Sequence, residues 1–283
     1  MSYKVGSLEL RTPIILGSCD LFVSEETVNK RYQPYVGAIV LKTTTREPRE
    51  GYAEPKIARF GDGILVASGM ANPGINRMCQ IANNLRELPL IGSVAEPILA
   101  KEYAEAGVMA VELNISCPHT PGGRILAHNP ETVYSAVREA KEVCNIPVFA
   151  KLTGWGCDIV ETSIAAEKAG ADAIVVSNLF PGTGYYTGLV AQDYAYNVGD
   201  CLVGYGHGGY TSPYFLSGVL WMIKQIRDAS NIPIIATGGC CASLDSLVQS
   251  FMSGAAAVET VTPLYQGRDL NKLYEEFKQW KKE

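Results

Sequence analysis

Short apolar runs recur along the chain, separated by longer stretches in which apolar residues return every three or four positions. The runs are PIILG (13–17), AIVLK (38–42), LPLIGS (88–93), VMAVEL (108–113), IPVFAK (146–151), ADAIVV (171–176), IPIIAT (232–237) and AAAVET (255–260). Four to six consecutive apolar residues leave no polar face, the pattern of parallel strands buried on both sides. The intervening stretches predict helices over 24–34, 75–86, 97–106, 130–143, 159–169, 214–228, 243–253 and 265–282. Asn129-Pro130-Glu131 and Ser243 carry helix-start chemistry, and Gly107, Gly170 and Gly254 stand where a helix must stop.

Eight strand–helix alternations predict an α/β fold of the (β/α)8 TIM-barrel class, a single domain over 1–283. A doubly wound open sheet is the alternative with the same alternation. Residues 179–212 are too long for an ordinary loop and predict an excursion over the C-terminal face of the barrel.

Composition narrows the class. With 47% hydrophobic and 19% charged residues, a large core can form and disorder is not expected. A net charge of -5 and the absence of a basic run argue against a nucleic-acid partner. No signal peptide and no uninterrupted apolar membrane span is read. Eight scattered cysteines without C-x-x-C spacing point to reduced thiols and a cytoplasmic protein. Three histidines leave little material for a zinc site, so no metal is expected.

In an α/β barrel the loops after the strand C-termini build the site, and polar residues gather at those ends here. Ser18 follows the first run, Lys42-Thr43-Thr44 the second and Ser93 the third. Asn114 and Cys117 follow the fourth, Lys151 ends the fifth, and Ser177-Asn178 follow the sixth. Gly238-Gly239 and Thr262 follow the last two. A lysine ending an apolar strand needs a partner: Lys42 and Lys151 meet either an anionic ligand or a carboxylate such as Glu112. Gly238-Gly239 ahead of a helix suit a phosphate, or form a plain tight turn. Cys117, in a loop rich in proline and glycine, is either an accessible reactive thiol or an inert one. His119 is a possible acid–base residue or a surface histidine.

Four stretches carry a family resemblance. TTTREPREGYAEP (43–55), ELNISCPH (112–119), IPVFAKLT (146–153) and IPIIATGG (232–239) resemble signature segments of the class 1 dihydroorotate dehydrogenases. They are also similar to the pyrimidine-reducing domain of dihydropyrimidine dehydrogenase. The resemblance implies an FMN-binding barrel that moves hydride between a substrate C–C bond and flavin N5. It makes Cys117 the proton base or acid, with Lys42 as a second catalytic residue. Lys42, Thr43, Asn114 and Lys151 would lie along the flavin, Gly238, Gly239 and Thr262 would hold its phosphate, and Ser18 and Ser212 would also bind the cofactor. Ser68, Gly69, Met70, Asn114, His119 and Asn178 would contact a small-molecule substrate. A homodimer and a separate electron-transfer partner are further implications.

The departures concern the substrate. Members that bind orotate carry asparagine where this chain has Val66 and His119, and serine or threonine in place of Leu179. Val261 and Ser212 replace glycines. Dihydroorotate is therefore expected to be a poor substrate, because polar groups of its ring would go unpaired. Tyr185, Tyr186, Tyr194, Tyr196, Tyr205, Tyr210 and Tyr214 either line a new pocket or pack the excursion. Two rival functions are a flavin-free lyase or aldolase using Lys151 as a Schiff-base amine, and a non-catalytic flavoprotein subunit.

Overall fold

The computed structural model describes residues 2–117, 125–183 and 208–282. Eight parallel strands close into a barrel: β1 (Ile14–Leu16), β2 (Ala38–Val40), β3 (Leu90–Val94), β4 (Ala110–Asn114), β5 (Val148–Lys151), β6 (Ala173–Val176), β7 (Ile234–Thr237) and β8 (Ala257–Thr260). β8 closes against β1, with Val258 opposite Ile14 and Thr260 opposite Leu16. That pairing removes the open-sheet alternative, since a closed barrel has no edge strands.

Prolines open four of the predicted runs, and each sits just outside its observed strand. Proline has no N–H to give to a ladder, but its carbonyl is used. Pro13, Pro89, Pro147 and Pro233 accept from the backbone N–H groups of Val258, Ile39, Val111 and Ile174.

The strands alternate with helices α1 (Glu25–Arg31), α2 (Ile75–Asn84), α3 (Ala100–Glu105), α4 (Pro130–Val143), α5 (Ile159–Ala169), α6 (Leu216–Ala229) and α7 (Leu244–Met252). The expected start signals operate: Asn129 accepts from the N–H groups of Glu131 and Thr132, and Ser243 accepts from that of Ser246. The helix predicted over 265–282 is two helices, α8 (Thr262–Gln266) and α9 (Leu270–Trp280). Gly267 takes the left-handed region at φ 66°, which ends α8, and Asp269 caps α9 by accepting from Lys272 N.

Two features have no counterpart among the predicted elements. A hairpin of Tyr3–Val5 and Leu8–Leu10 buries Val5 and Leu10 in the core at the N-terminal end of the barrel. At the other end, Ile57–Phe60, Gly63–Val66, Gly208–Thr211 and Phe180–Gly182 form a four-stranded antiparallel sheet. It stands over the mouth because the ends of the predicted excursion, 180–182 and 208–211, pair with each other and then with 63–66. Residues 184–207 lie outside the described residues, and with them Tyr185, Tyr186, Tyr194, Tyr196 and Tyr205. Among the described residues no helix is long and apolar enough to cross a membrane.

One contact shows how tightly helix and barrel fit. The Tyr103 ring of α3 lies against Gly92 of β3, so closely that a Cβ on Gly92 would sit 2.4 Å from it. Its hydroxyl shares a 2.8 Å hydrogen bond with Thr44 Oγ1, and the side chain is fully buried. Tyr103→Phe should cost about 1 kcal/mol, the worth of the hydrogen bond. Tyr103→Ala should cost about 3–5 kcal/mol through the cavity it leaves. Urea midpoints of the two variants check both, and equal losses would contradict this assignment.

Candidate active site

A cavity of about 390 Å3 opens at the C-terminal mouth of the barrel, between the strand ends below and the antiparallel sheet above. Parallel strands deliver their terminal side chains to one end, so the polar residues read at the strand ends converge. Ser18, Lys42 and Thr43 reach the wall from β1 and β2, and Asn114 and Cys117 from β4. Lys151 and Asn178 arrive from β5 and β6, with Gly238, Gly239 and Thr262 from β7 and β8. Ser68, Met70 and Ser212 come from the covering segments.

Gly69 stands between two of these, Ser68 and Met70, without lining the cavity itself. It is buried at φ 59°, and a Cβ would lie 2.9 Å from Tyr52 N, so the glycine serves the turn beneath Ser68 and Met70. His119 lies outside the described residues. Ser212 lines the wall, but its hydroxyl is engaged in accepting from Tyr214 N at 3.3 Å. Of the tyrosines, Tyr210 faces the cavity, while Tyr214 is exposed and donates to Asp62 Oδ2 at 2.7 Å.

The floor is a hydrogen-bonded chain centred on Thr43. Its N–H donates to Ser18 Oγ at 2.8 Å, its hydroxyl meets Ser93 Oγ at 2.9 Å, and Asn114 Nδ2 donates to it at 3.0 Å. Asn178 Nδ2 donates to Ser116 Oγ at 2.8 Å and to Asn114 Oδ1 at 3.4 Å. The network fixes the two asparagine amides against one another. Over it the walls are apolar: Ile64, Val66, Leu179 and Phe180 line the cavity with Phe215, whose ring packs 4.3 Å from that of Phe180.

Both lysines have carboxylate partners. Lys42 Nζ is ion-paired with Asp20 and lies 3.4 Å from Ser68 Oγ. Lys151 Nζ donates to Glu259 Oε1 at 2.5 Å and to Glu112 Oε1 at 3.2 Å. All three members of this cluster are buried inside the barrel. Burial alone would pull the Lys151 ammonium down, but the two carboxylates outweigh it and hold it above the ordinary lysine value. Glu112 is pushed well above the carboxylate range, first by burial and then by Glu259, against the opposing pull of Lys151. A lysine kept protonated in this way is not a nucleophilic amine, which disfavours the Schiff-base lyase.

None of the described cysteines forms a disulfide. Burial pushes the thiol of Cys19 up to about 12 and that of Cys240 up to about 11, so these are inert. Cys117 is only half-buried on the cavity wall.

Three participants were missed from the sequence. Asp20 follows Ser18 by two residues and had a signal, since it sits in the first strand-end loop. Glu259 interrupts AAAVET, and a carboxylate in an apolar strand needs a partner as much as a lysine does. His128 carried no local signal: it reaches the wall beside Trp155 after the chain folds back, with rings 6.5 Å apart and Nε2 buried without a hydrogen-bond partner.

A family model described as dihydroorotate dehydrogenase matches residues 1–279. The chain belongs to the dihydroorotate dehydrogenase family. It is 31% identical over 274 residues to dihydroorotate dehydrogenase B (NAD(+)), catalytic subunit, of Streptococcus pneumoniae, covering 91% of this chain and 84% of that one. It is 32% identical over 274 residues to dihydroorotate dehydrogenase A (fumarate) of Limosilactobacillus reuteri, covering 92% and 85%. In fold it is similar to dihydroorotate dehydrogenase of Eimeria tenella, solved in complex with ferulenol, with a TM-score of 0.77, 16% identity and coverage of 93% and 79%. As a member of this family the chain is an oxidoreductase.

The buried cluster yields a stability test. Lys151→Met leaves Glu112 and Glu259 facing each other without a cation and should cost about 3–5 kcal/mol in urea unfolding. Glu112→Gln should cost much less, because Glu259 still faces Lys151. Because folding raises Glu112, the folded chain holds a proton that the unfolded chain has released between the ordinary glutamate range and the folded value. The stabilisation from this residue is therefore complete below the ordinary range and is lost as pH rises through the folded value. Melting temperatures between about pH 5 and 9 should show that decline in the natural protein and a flatter curve in Glu112→Gln. Parallel curves would refute the assignment.

Proposed function

We propose that this chain is an FMN-dependent oxidoreductase acting on a C–C single or double bond of a small, pyrimidine-like ring, with Cys117 exchanging the proton. The observation that carries the reading is the convergence on one cavity of the Cys117 thiol, the asparagine pair and the Gly238-Gly239 turn. FMN fits this surface. The two glycines stand at φ 109° and 80°, and a Cβ on Gly239 would lie 2.9 Å from Pro213 O, so the backbone itself forms the wall that a phosphate would meet. The Thr43 network offers fixed polar groups for a planar ring, and Lys151 lies beside them.

FMN supplies the hydride acceptor or donor when bound. The protein handles the proton. A hydrogen leaving a substrate C–C bond as hydride leaves the neighbouring carbon to lose H+, and the Cys117 thiolate takes it; in reduction the thiol returns it. Asn114 and Asn178, held by one another and by Ser116, orient the ring amides. Lys42 and Thr43, with Ser18, order the adjoining edge of the site. Ser68 and Met70 would flank the substrate, and Gly238, Gly239, Ser212 and Thr262 would hold the cofactor.

The chain works as one domain over 1–283, as a homodimer in the cytoplasm, within pyrimidine metabolism. Its electrons pass to or from a separate partner. The Streptococcus pneumoniae relative, named a catalytic subunit, supports that arrangement, and the relative named for fumarate supports a soluble acceptor.

The visible spectrum of the purified protein tests the cofactor: flavin bands with FMN released on denaturation are expected, and a colourless protein refutes it. Cys117→Ser should keep the colour and lose turnover by about 10²–10⁴-fold near neutral pH, because a hydroxyl is far less acidic than a thiol. The profile of the variant should recover toward high pH. Near-natural rates in Cys117→Ser would remove the thiol from the mechanism.

A further inference from the structure

Lys42 follows β2 on the cavity wall, where an anionic substituent on a substrate ring could be met. In this chain that ammonium is already matched. Lys42 Nζ is ion-paired with Asp20 and has Ser68 Oγ as a second partner. Its side chain is 9% exposed, and Asp20, at 29%, stands on the open side of the pair. Both residues line the cavity. The other lysine of the wall, Lys151, is matched by Glu112 and Glu259. Among the described residues that line the cavity there is no arginine, and each lysine carries a carboxylate partner.

We propose that Asp20 is a specificity-determining residue: by neutralising Lys42 it excludes rings that bear a carboxylate and selects an uncharged heterocycle. This deepens the proposed function and rests on its placing of the substrate ring in this cavity. The physics is that of selection by a repulsive element. A carboxylate entering beside Lys42 must either displace Asp20 or share one ammonium with it, leaving two anions adjacent in a poorly hydrated pocket. Both routes cost desolvation that no second cation repays. An uncharged ring meets no such penalty, and the roof of Ile64, Val66, Leu179 and Phe180 accepts an apolar edge. The apolar side chains of Val66 and Leu179 and the carboxylate of Asp20 act in one direction, away from an anionic ring.

The test uses two planar probes that differ by one carboxylate, uracil and orotate, titrated by calorimetry into the protein as purified and into Asp20→Asn. Calorimetry reads ring binding whether or not flavin is present, and the visible spectrum of the same samples reads the flavin. A colourless sample overturns the FMN reading, while charge selection is judged on the calorimetry alone. The natural protein should bind uracil at least about tenfold more tightly than orotate. Asp20→Asn should tighten orotate by about tenfold or more and move uracil by less than about threefold. The tightened binding should weaken as salt is raised, because it now depends on an unmatched ammonium. Asp20→Ala, with melting curves for both variants, guards against a folding defect. The comparison in the natural protein needs no variant. Orotate binding as tightly as uracil in the natural protein, failure of uracil to bind, or orotate affinity unchanged in both variants overturns the proposal.

Discussion

One ammonium group inside the barrel ties the structure to its site. Lys151 ends β5 and holds Glu112 of β4 and Glu259 of β8, so three strands converge on a single charge. Such a cluster is stable only if its geometry offsets the loss of hydration. One lysine against two carboxylates would leave the interior negative, and burial pushes Glu112 toward its protonated form. The floor of the cavity is thereby fixed in position, and the Thr43 network is laid beside it.

Barrel direction does the rest of the positioning. Parallel strands send their C-termini to one mouth, so residues far apart in the chain meet without any local motif to bring them together. Asn114 and Asn178 become neighbours across 64 positions, and Lys151 and Glu259 across 108. The antiparallel sheet above them supplies the opposite chemistry. Ile64, Val66 and Phe180 line the cavity from it, and the Phe180, Tyr210 and Phe215 rings pack on one another at the wall. A polar, hydrogen-bonded floor beneath an apolar roof suits a flat ring with donors and acceptors along one side.

Membership of the dihydroorotate dehydrogenase family and the change of substrate proposed above are compatible because different elements carry them. The parts that resemble the family lie on the strand ends and the β7 turn, which the barrel holds rigid. Val66 and Leu179 lie in and beside the covering sheet, and Asp20 lies in a loop. Loops and covering strands exchange side chains without disturbing the barrel. On the proposed reading, the proton and hydride chemistry persists while the preferred ring changes.

The sequence alone determined the barrel and most of its floor. Runs such as IPVFAK and IPIIAT cannot face water on either side, and glycines and caps at regular intervals mark where each helix must begin or stop. The strand-end rule then brought Lys42, Thr43, Asn114, Cys117 and Asn178 to one face from their positions in the chain. What the tertiary structure decided is which of these groups have partners. Lys42 could have met a ligand or a carboxylate, and only the packing of the first strand-end loop against the second shows that Asp20 reaches it. Likewise Glu259 is one more residue in an apolar run until the barrel closes and sets it against Lys151. The covering sheet was invisible for a related reason: its short strands owe their formation to pairing between 63–66 and 208–211, a contact between segments about 140 residues apart. Periodicity records what a residue buries, whereas charge pairing and sheet register depend on what lies opposite, and that is set only when distant segments meet.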